Sequence, residues 1–290
     1  MLKLRCRARI MFSMNRLPVS KRAAILSMLC EGMSMRATSR LADVSINTVS
    51  KLLVDAGAIC AAFHDESVRN VNAKRVQADE VWSFIAAKQK NVTEELREKN
   101  AAAGDVWTWT AIDADSKLVI AYLVGARDGF CAELLMRDLE SRIVADETQL
   151  KTDQLNVYLK AVDHAFKGSI DYAMLHKVYK GVSDGKYSPA ECIGCTKVAV
   201  TGDPDPKHIA TSYVERANLT MRMSMLRFTR LTNAFSKKFE NHAHMVAIYT
   251  VWYNWIRVHK TLRVTPAMEA KLTDRVWSFE EIVNLMDKVL

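Results

Sequence analysis

Three acidic residues occupy positions from which they could hold a metal ion together. Asp79 lies in a predicted strand, Asp153 ends the predicted strand TQLKTD, and Glu215 lies near the start of a predicted helix. In an α/β sheet the ends of such elements can converge. Mg²⁺ binds carboxylates and substrate phosphates, and two-ion phosphoryl transfer needs ligands from opposing sides. The pattern allows a magnesium site, but spacing alone favours solvated acids, since the chain holds 33 Asp and Glu residues.

The predicted helix of Glu215 carries further polar groups on the same face. Asn218 and Arg222 follow at i+3 and i+7, so the three side chains share one side of the helix. This spacing aligns a metal ligand with a phosphate-binding cation. Glu80, next to Asp79, is expected on the opposite face of its strand and ranks below Asp79 as a ligand.

The elements that must position these residues begin near residue 75. RVQADEVWSFIAAK predicts one strand, and VWTWTAIDADSKLVIAYLVG predicts two more, joined by a turn at 113–116. Predicted helices then alternate with the strand-like runs TQLKTD and SIDYAMLHKVY. This order predicts a mixed α/β sheet flanked by helices. Glycines and prolines predict a loop-rich insertion near 180–209, after which the chain becomes helical again.

The segment before the sheet predicts three short helices with a helix-turn-helix pattern. Gly32 breaks the first helix, the second spans 35–42, and Ser45 is placed to cap a third that stops at Gly57. Leu41, Val44, Val49 and Leu52 are expected to pack these helices together. In a recognition helix, the residues exposed to DNA would be Asn47, Thr48, Ser50 and Lys51. A helical bundle that contacts only protein is the alternative.

The net charge of +8 favours a polyanionic partner, because the positive charge is clustered. Residues 1–24 hold seven Lys or Arg and no acid, and residues 216–239 hold six and no acid. Each block flanks a motif that is directed towards DNA. Phosphate contacts are therefore favoured over plain solvation of these faces.

Composition predicts a folded protein of the cytoplasm, associated with the nucleoid. Neither a signal peptide nor a membrane span is expected, since the longest apolar run, MVAIYTVWYNWI, is short and contains Asn. Six scattered cysteines suit a reducing compartment. Cys192 and Cys195 have CxxC spacing without the second ligand pair of a closed zinc site.

Three separated segments carry a resemblance to a known family: ADEVWSF at 78–84, KHIATSYVERANLTMRMSMLRFTRLTNAFSKK at 207–238 and YNWIRVHKTLRVTPAM at 253–268. Together they resemble the DDE transposases of bacterial insertion sequences, over roughly residues 75–268. The resemblance implies a helix-turn-helix domain at 1–70, a ribonuclease-H-like α/β catalytic domain at 71–270 and a helical tail at 271–290.

The resemblance also implies roles for single residues. Asp79, Asp153 and Glu215 would form the catalytic acidic triad and bind Mg²⁺, for which Mn²⁺ can substitute. Phosphate contacts would come from Arg222, Arg227, Arg230, Lys237 and Lys260. The family commonly has glycine after the second aspartate, whereas this chain has Gln154, which a positive φ would strain.

The implied reaction is cleavage at the ends of a DNA element, followed by joining of the freed 3′-hydroxyl to target DNA. The implied partners are double-stranded DNA, as terminal repeats and as target, and further copies of the chain in a homodimer or higher oligomer. Two alternatives stay open at this point. One is a helix-turn-helix regulator or a decayed transposase copy, and the other is a ribonuclease-H-like nuclease without strand transfer.

Overall fold

Residues 16–144, 147–180, 192–229 and 233–289 are described by a computed structural model. The helices are α1 (Val19–Cys30), α2 (Met35–Leu41), α3 (Ile46–Ser67), α4 (Glu94–Lys99), α5 (Gly129–Glu140), α6 (Val157–Phe166), α7 (Ser212–Ser224), α8 (Phe239–Val251), α9 (Pro266–Glu269) and α10 (Phe279–Val289). The strands are β1 (Arg75–Ile85), β2 (Gly104–Asp113), β3 (Val119–Gly125), β4 (Gln149–Asp153), β5 (Asp171–Tyr179) and β6 (Cys192–Thr201).

The six strands form one mixed sheet in the order β3-β2-β1-β4-β5-β6. β1, β2 and β3 form an antiparallel meander, β4 lies parallel to both β1 and β5, and β6 closes the edge antiparallel to β5. The predicted mixed sheet flanked by helices is thereby confirmed. Its helices and strands share a continuous apolar core, which includes Trp109, Tyr158 and Trp255.

Strands β1 and β4 pair over only part of their length. The parallel register joins Arg75, Val76 and Gln77 to residues 149–151 and goes no further. Asp79 and Glu80 of β1 and Asp153 of β4 lie just beyond the last pair. The carboxyl ends of the two strands therefore open a gap that side chains from both strands can enter.

Helix α3 continues past the point where the sequence predicted its end. Gly57 lies inside this helix, and a Cβ built there would come 2.3 Å from the Cβ of His244 in α8. The glycine therefore permits a close helix crossing, which a reading of glycine as a stop signal misses. At the far end of α3, the buried ring of His64 is hydrogen-bonded to the carbonyl of Val119 in β3 at 3.1 Å, so α3 packs onto the sheet.

At the start of α3, the N-cap is the one predicted from the sequence, whereas the packing differs from the prediction. The Ser45 hydroxyl accepts a hydrogen bond from the Thr48 N–H at 3.1 Å, as expected for an N-cap. Val49 and Leu52 are buried as predicted, whereas Leu41 is 63% exposed. The residue at the end of α2 thus faces outwards, and the packing prediction for Leu41 is wrong.

Helix α3 is also long and apolar enough to cross a membrane by length and composition, with a mean hydropathy of 1.4. One such helix is weak support for a membrane span, because core helices of soluble proteins have the same properties. Here its buried residues, among them Leu53, Ala56 and Cys60, belong to the shared core. Of the apolar window in α3, 33% is buried inside the protein.

The interval expected to be loop-rich contributes a strand to the sheet. Residues 192–201 form β6, which pairs with β5 along nearly the whole length of both strands. The β-branched residues Ile193, Thr196, Val198 and Val200 favour this extended conformation. Neighbouring glycines and prolines dominated the sequence pattern and obscured the strand. Residues 181–191 lie outside the described part of the chain.

Candidate metal centre

Asp79, Glu80 and Asp153 form the acidic group at the gap between β1 and β4. One carboxylate oxygen from each lies within 4.8 Å of the others. Glu80 is buried, and the two aspartates are half-buried. The partial pairing of β1 with β4 thus brings together two acids that are 74 positions apart in the chain.

Asp79 is fixed from the side of α7. Asn218 donates from Nδ2 to Asp79 Oδ2 at 2.8 Å. Helix α7 is itself held against β1, since the Gln77 side-chain oxygen accepts the N–H groups of Tyr213 and Val214 at 2.9 and 3.0 Å. These hydrogen bonds satisfy two N–H groups at the start of α7 that have no partner within the helix.

The charge crowding around Asp79 changes its pKa. Burial, together with the neighbouring carboxylates of Glu80 and Asp153, raises the pKa of Asp79 to about 7. Like charges this close disfavour joint ionisation unless a cation neutralises them. A divalent cation with oxygen ligands fits such a group, since hard cations prefer carboxylates. The donors present therefore suit Mg²⁺ or Mn²⁺.

Glu80 belongs to the acidic group, although the sequence pattern placed it on the opposite face of β1 from Asp79. Arg127 donates to Glu80 Oε1 from Nε at 2.8 Å and from Nη2 at 2.6 Å, and the Tyr158 hydroxyl donates to Oε2 at 3.2 Å. Glu80 does contact the α6 side of the sheet, whereas Asp79 contacts the α7 side. Because β1 and β4 part at this point, both carboxylates still reach Asp153. Burial raises the pKa of Glu80. This effect exceeds the opposing effect of the Arg127 guanidinium, which lowers the pKa.

Asp153 occupies the last position of β4, and the chain turns sharply after it. Its Oδ1 accepts the N–H of Leu155 at 3.0 Å, which holds the carboxylate at the strand end. Gln154 is absent from the described non-glycine residues with positive φ. Glutamine in place of the family's usual glycine therefore causes no backbone strain here.

Glu215 lines the cleft from α7, outside the acidic group. Its Oε1 accepts hydrogen bonds from the Lys177 ammonium and the Thr211 hydroxyl. It lines the same cleft as Asp79 and Asp153, a cavity of about 500 Å³ whose walls also include Arg127, Lys177 and Tyr179. The three acids predicted from the sequence thus face one cavity, with Glu215 outside the tight group.

The cations of the cleft, Arg127 and Lys177, were missed by the sequence reading. Arg127 lies above the Trp107 ring, with its guanidinium carbon 4.7 Å from the centroid. Lys177 projects from the same face of β5 as Leu175, which lines the cleft. Only the period-two spacing from Leu175 hinted at this orientation, since neither residue lies in a recognisable motif.

The predicted DNA-contacting residues of α3 cluster at its exposed start. Asn47 and Lys51 are exposed, and Thr48 and Ser50 are half-buried. Lys51 forms an ion pair with Asp55 at 2.6 Å, one turn further along the helix. This helix end therefore presents short polar groups to solvent.

The other predicted DNA contacts are spread over α7 and the segments that follow it. Arg222 is half-buried on α7, and Lys237 and Lys260 are exposed. Arg230 lies outside the described residues. Of the described residues in this set, Arg222, Lys237 and Lys260 do not line the acidic cleft.

Arg227 is used inside the protein. Its Nη1 donates to the Ser236 hydroxyl at 3.0 Å and to the Asn241 carbonyl at 2.7 Å. Burial lowers the pKa of Arg227 to about 10. These contacts hold the connection between α7 and α8, which the basic run in the sequence did not reveal.

Comparison with known proteins gives distant structural likenesses. No family model matches the chain, and no curated protein sequence matches it. The chain is similar to the piggyBac transposase synaptic complex with hairpin DNA, with a TM-score of 0.42, 8% identity and coverage of 93% of this chain and 70% of that chain.

Two further likenesses involve the Mos1 transposase. The paired-end complex with the left transposon end has a TM-score of 0.23, 12% identity and coverage of 53% of this chain and 56% of that one. The Mos1 mariner paired end complex with Mn has a TM-score of 0.28, 10% identity and coverage of 82% and 76%. Scores this low do not define a function, which must rest on the site.

Proposed function

We propose that the chain is a metal-dependent DNA transposase of the DDE type, with a ribonuclease-H-like catalytic region. The observation that carries the proposal is the convergence of Asp79, Glu80 and Asp153, with oxygens within 4.8 Å, in a cleft that Glu215 also lines. The sequence motifs around Asp79 and Glu215 support it. The substrates would be the ends of a DNA element and a target duplex, with several copies of the chain assembled on them.

Mg²⁺ or Mn²⁺ bound here would polarise the scissile phosphate and activate the attacking hydroxyl group. Asp79 and Asp153 would hold this cation, with Glu80 as a third ligand and Glu215 lining the cleft from α7. Asn218 orients Asp79, and Arg127 orients Glu80. Lys177 keeps Glu215 inside the cleft and offers positive charge to a non-bridging phosphate oxygen.

The first helices would bind DNA as a helix-turn-helix. The Ser45 cap and the exposed side chains of Asn47 and Lys51 support this role for the start of α3. Since α3 packs on the sheet, DNA bound at its start would stand in a defined position relative to the catalytic cleft. Lys237 and Lys260, which are exposed, would add phosphate contacts.

The test is cleavage and joining of labelled duplexes that carry the repeats flanking the gene, with Mg²⁺ or Mn²⁺. Asp153→Asn is compared with Asp163→Asn, which changes an exposed acid on α6. Metal-dependent nicking at the repeat ends and joined products, lost only in Asp153→Asn, are expected. Nicking without joining would instead indicate a nuclease. Sequence-selective binding without scission in any of these proteins would indicate a regulator or a decayed copy.

A further inference from the structure

A second concave surface lies on the other side of α7 from the acidic cleft. It is a groove of about 500 Å³ between α1, α7, α10 and the π-helical turn Trp252–Ile256. Its walls carry the arginines Arg216 and Arg257 and the hydroxyl residues Ser27 and Ser224. This combination of guanidinium and hydroxyl groups suits an anionic ligand with oxygen acceptors.

Both arginines are available to a ligand. Arg216 is exposed and Arg257 is half-buried. Within the described ranges, neither forms a salt bridge within 4.0 Å, although Glu31 also lines the groove. The Arg257 guanidinium carbon lies 5.3 Å from the centroid of the Trp252 ring, which restricts its motion. Such a guanidinium loses little freedom when it binds a phosphate.

Further positive charge lies next to the groove. Burial lowers the pKa of His259, and the nearby cations Arg257, Lys117 and Arg216 lower it further. Lys117 itself lies 3.3 Å from the centroid of the Tyr213 ring, at the start of α7. The groove therefore belongs to a surface on which several cations converge, and a polyanion fits it better than a single small anion.

The geometry of α7 relates this groove to the cleft. Glu215 and Asn218 lie on one face of the helix, whereas Arg216, Thr220 and Ser224 repeat every four residues on another. The groove and the cleft therefore flank one helix, which with its side chains is about 10–12 Å across.

We propose that the groove formed around Arg216 and Arg257 binds the phosphate backbone of the DNA duplex that is cut, on the other side of α7 from the scissile phosphate. This inference rests on the proposed function for the position of the cut. Binding in the groove would not depend on the DNA sequence, because the guanidinium and hydroxyl groups there would contact phosphates only. The groove would thus fix the register of the duplex on the enzyme.

The first experiment measures the salt dependence of duplex binding in EDTA, by fluorescence anisotropy of a labelled duplex with the full chain. The double variant Arg216→Gln/Arg257→Gln is compared with Lys90→Gln/Arg97→Gln, which neutralises two exposed cations at and near α4. Loss of two phosphate contacts lowers the slope of log K against log salt by about 1.8. We also expect about tenfold weaker binding at low salt, an unchanged control, and substantial rescue by Arg216→Lys/Arg257→Lys.

The second experiment locates the contact. In a scan of single methylphosphonates along each strand, positions away from the cut should be found that weaken binding of the wild type and leave the double glutamine variant unaffected. An unchanged salt slope in a folded double variant would overturn the proposal. So would loss of self-association in sedimentation without a change of slope, because the groove would then bind a second copy. A wild type that never nicks DNA would refute the proposed function, and the salt slope would still decide whether the groove binds DNA.

Discussion

Asn218 of α7 donates a hydrogen bond to the carboxylate of Asp79 in β1 at 2.8 Å. The same amide accepts from the Thr110 hydroxyl at 3.3 Å, so three elements fix one carboxylate. Residues that orient metal ligands typically change metal affinity or activity 10- to 100-fold when they are removed. We therefore expect Asn218→Ala to lower DNA nicking by about that factor, measured under single-turnover conditions. Leu219→Ala, at an exposed neighbouring position, should retain wild-type rates.

Glu80 is expected to contribute directly to cation affinity. Glu80→Gln preserves the size of the side chain and removes its charge. Since a carboxylate is a far better ligand for a hard cation than an amide, Mn²⁺ affinity should fall about 10- to 100-fold. Titration followed by electron paramagnetic resonance measures this affinity. Glu133→Gln, at a half-buried position of α5, is the matched control, and equal affinities in the two variants would assign Glu80 a structural role.

The raised pKa of Asp79 predicts how the metal-free protein responds to pH. The pKa is about 7 in the folded chain and near 3.8 in the unfolded chain, so the folded state binds the proton more tightly. The contribution of Asp79 to the stability of the protein in EDTA should therefore be greatest below pH 4. This contribution should be lost as pH rises through 7. Asp79→Asn should remove this loss and raise Tm at pH 8 by about 5 °C. Calorimetry from pH 5 to 8 tests this, and parallel curves for the two proteins would refute it.

Cation binding should show the opposite dependence on pH, since the cation competes with the proton on Asp79. Mn²⁺ affinity is expected to increase from pH 6 to pH 8 and then level off. The control is Asp163→Asn, which should behave as the wild type. A flat affinity over this range would mean that Asp79 is ionised throughout.

His242 connects β1 to the segment before α8 and is sensitive to acid. Its Nε2 lies 3.2 Å from the Ser83 hydroxyl and its Nδ1 lies 3.0 Å from the Ser236 hydroxyl. Burial lowers its pKa from 6.5 to about 3. Its contribution to stability is fully present above pH 6.5 and is lost as pH falls towards 3. His242→Gln should flatten this part of the acid-unfolding curve, followed by circular dichroism, whereas the exposed His164→Gln should not.

Gly57 predicts a steric effect at the crossing of α3 and α8. Gly57→Ala places a methyl group 2.3 Å from the Cβ of His244, so one helix must move. We expect a loss of about 1–3 kcal/mol of stability in urea unfolding. Gly129→Ala is the control, because a Cβ there meets nothing within 4 Å. Equal stabilities in the two variants would show that the crossing relaxes freely.

The mixed sheet could be predicted because its signals are local, whereas the three cleft acids were selected by the resemblance of the motifs around them. Alternating apolar residues around Asp79 and the short run ending in Asp153 specify strands, and Glu215 lies in a helix with clear periodicity. Glu80, Lys177 and Gly57 could not be assigned in this way. Their roles depend on where two strands part, on which residue lies across the cleft, and on which helix crosses another. None of these relationships is encoded by neighbours in the sequence.

The partial pairing of β1 with β4 has a consequence for how this centre tolerates change. The separation of Asp79 from Asp153 depends on the backbone register at residues 75–77 and 149–151, before any side chain adjusts. Inserting or deleting one residue within β4 would turn Asp153 to the other side of the sheet. Single substitutions around the acids can be tolerated, whereas the insertion or deletion of a single residue in β4 would remove Asp153 from the centre.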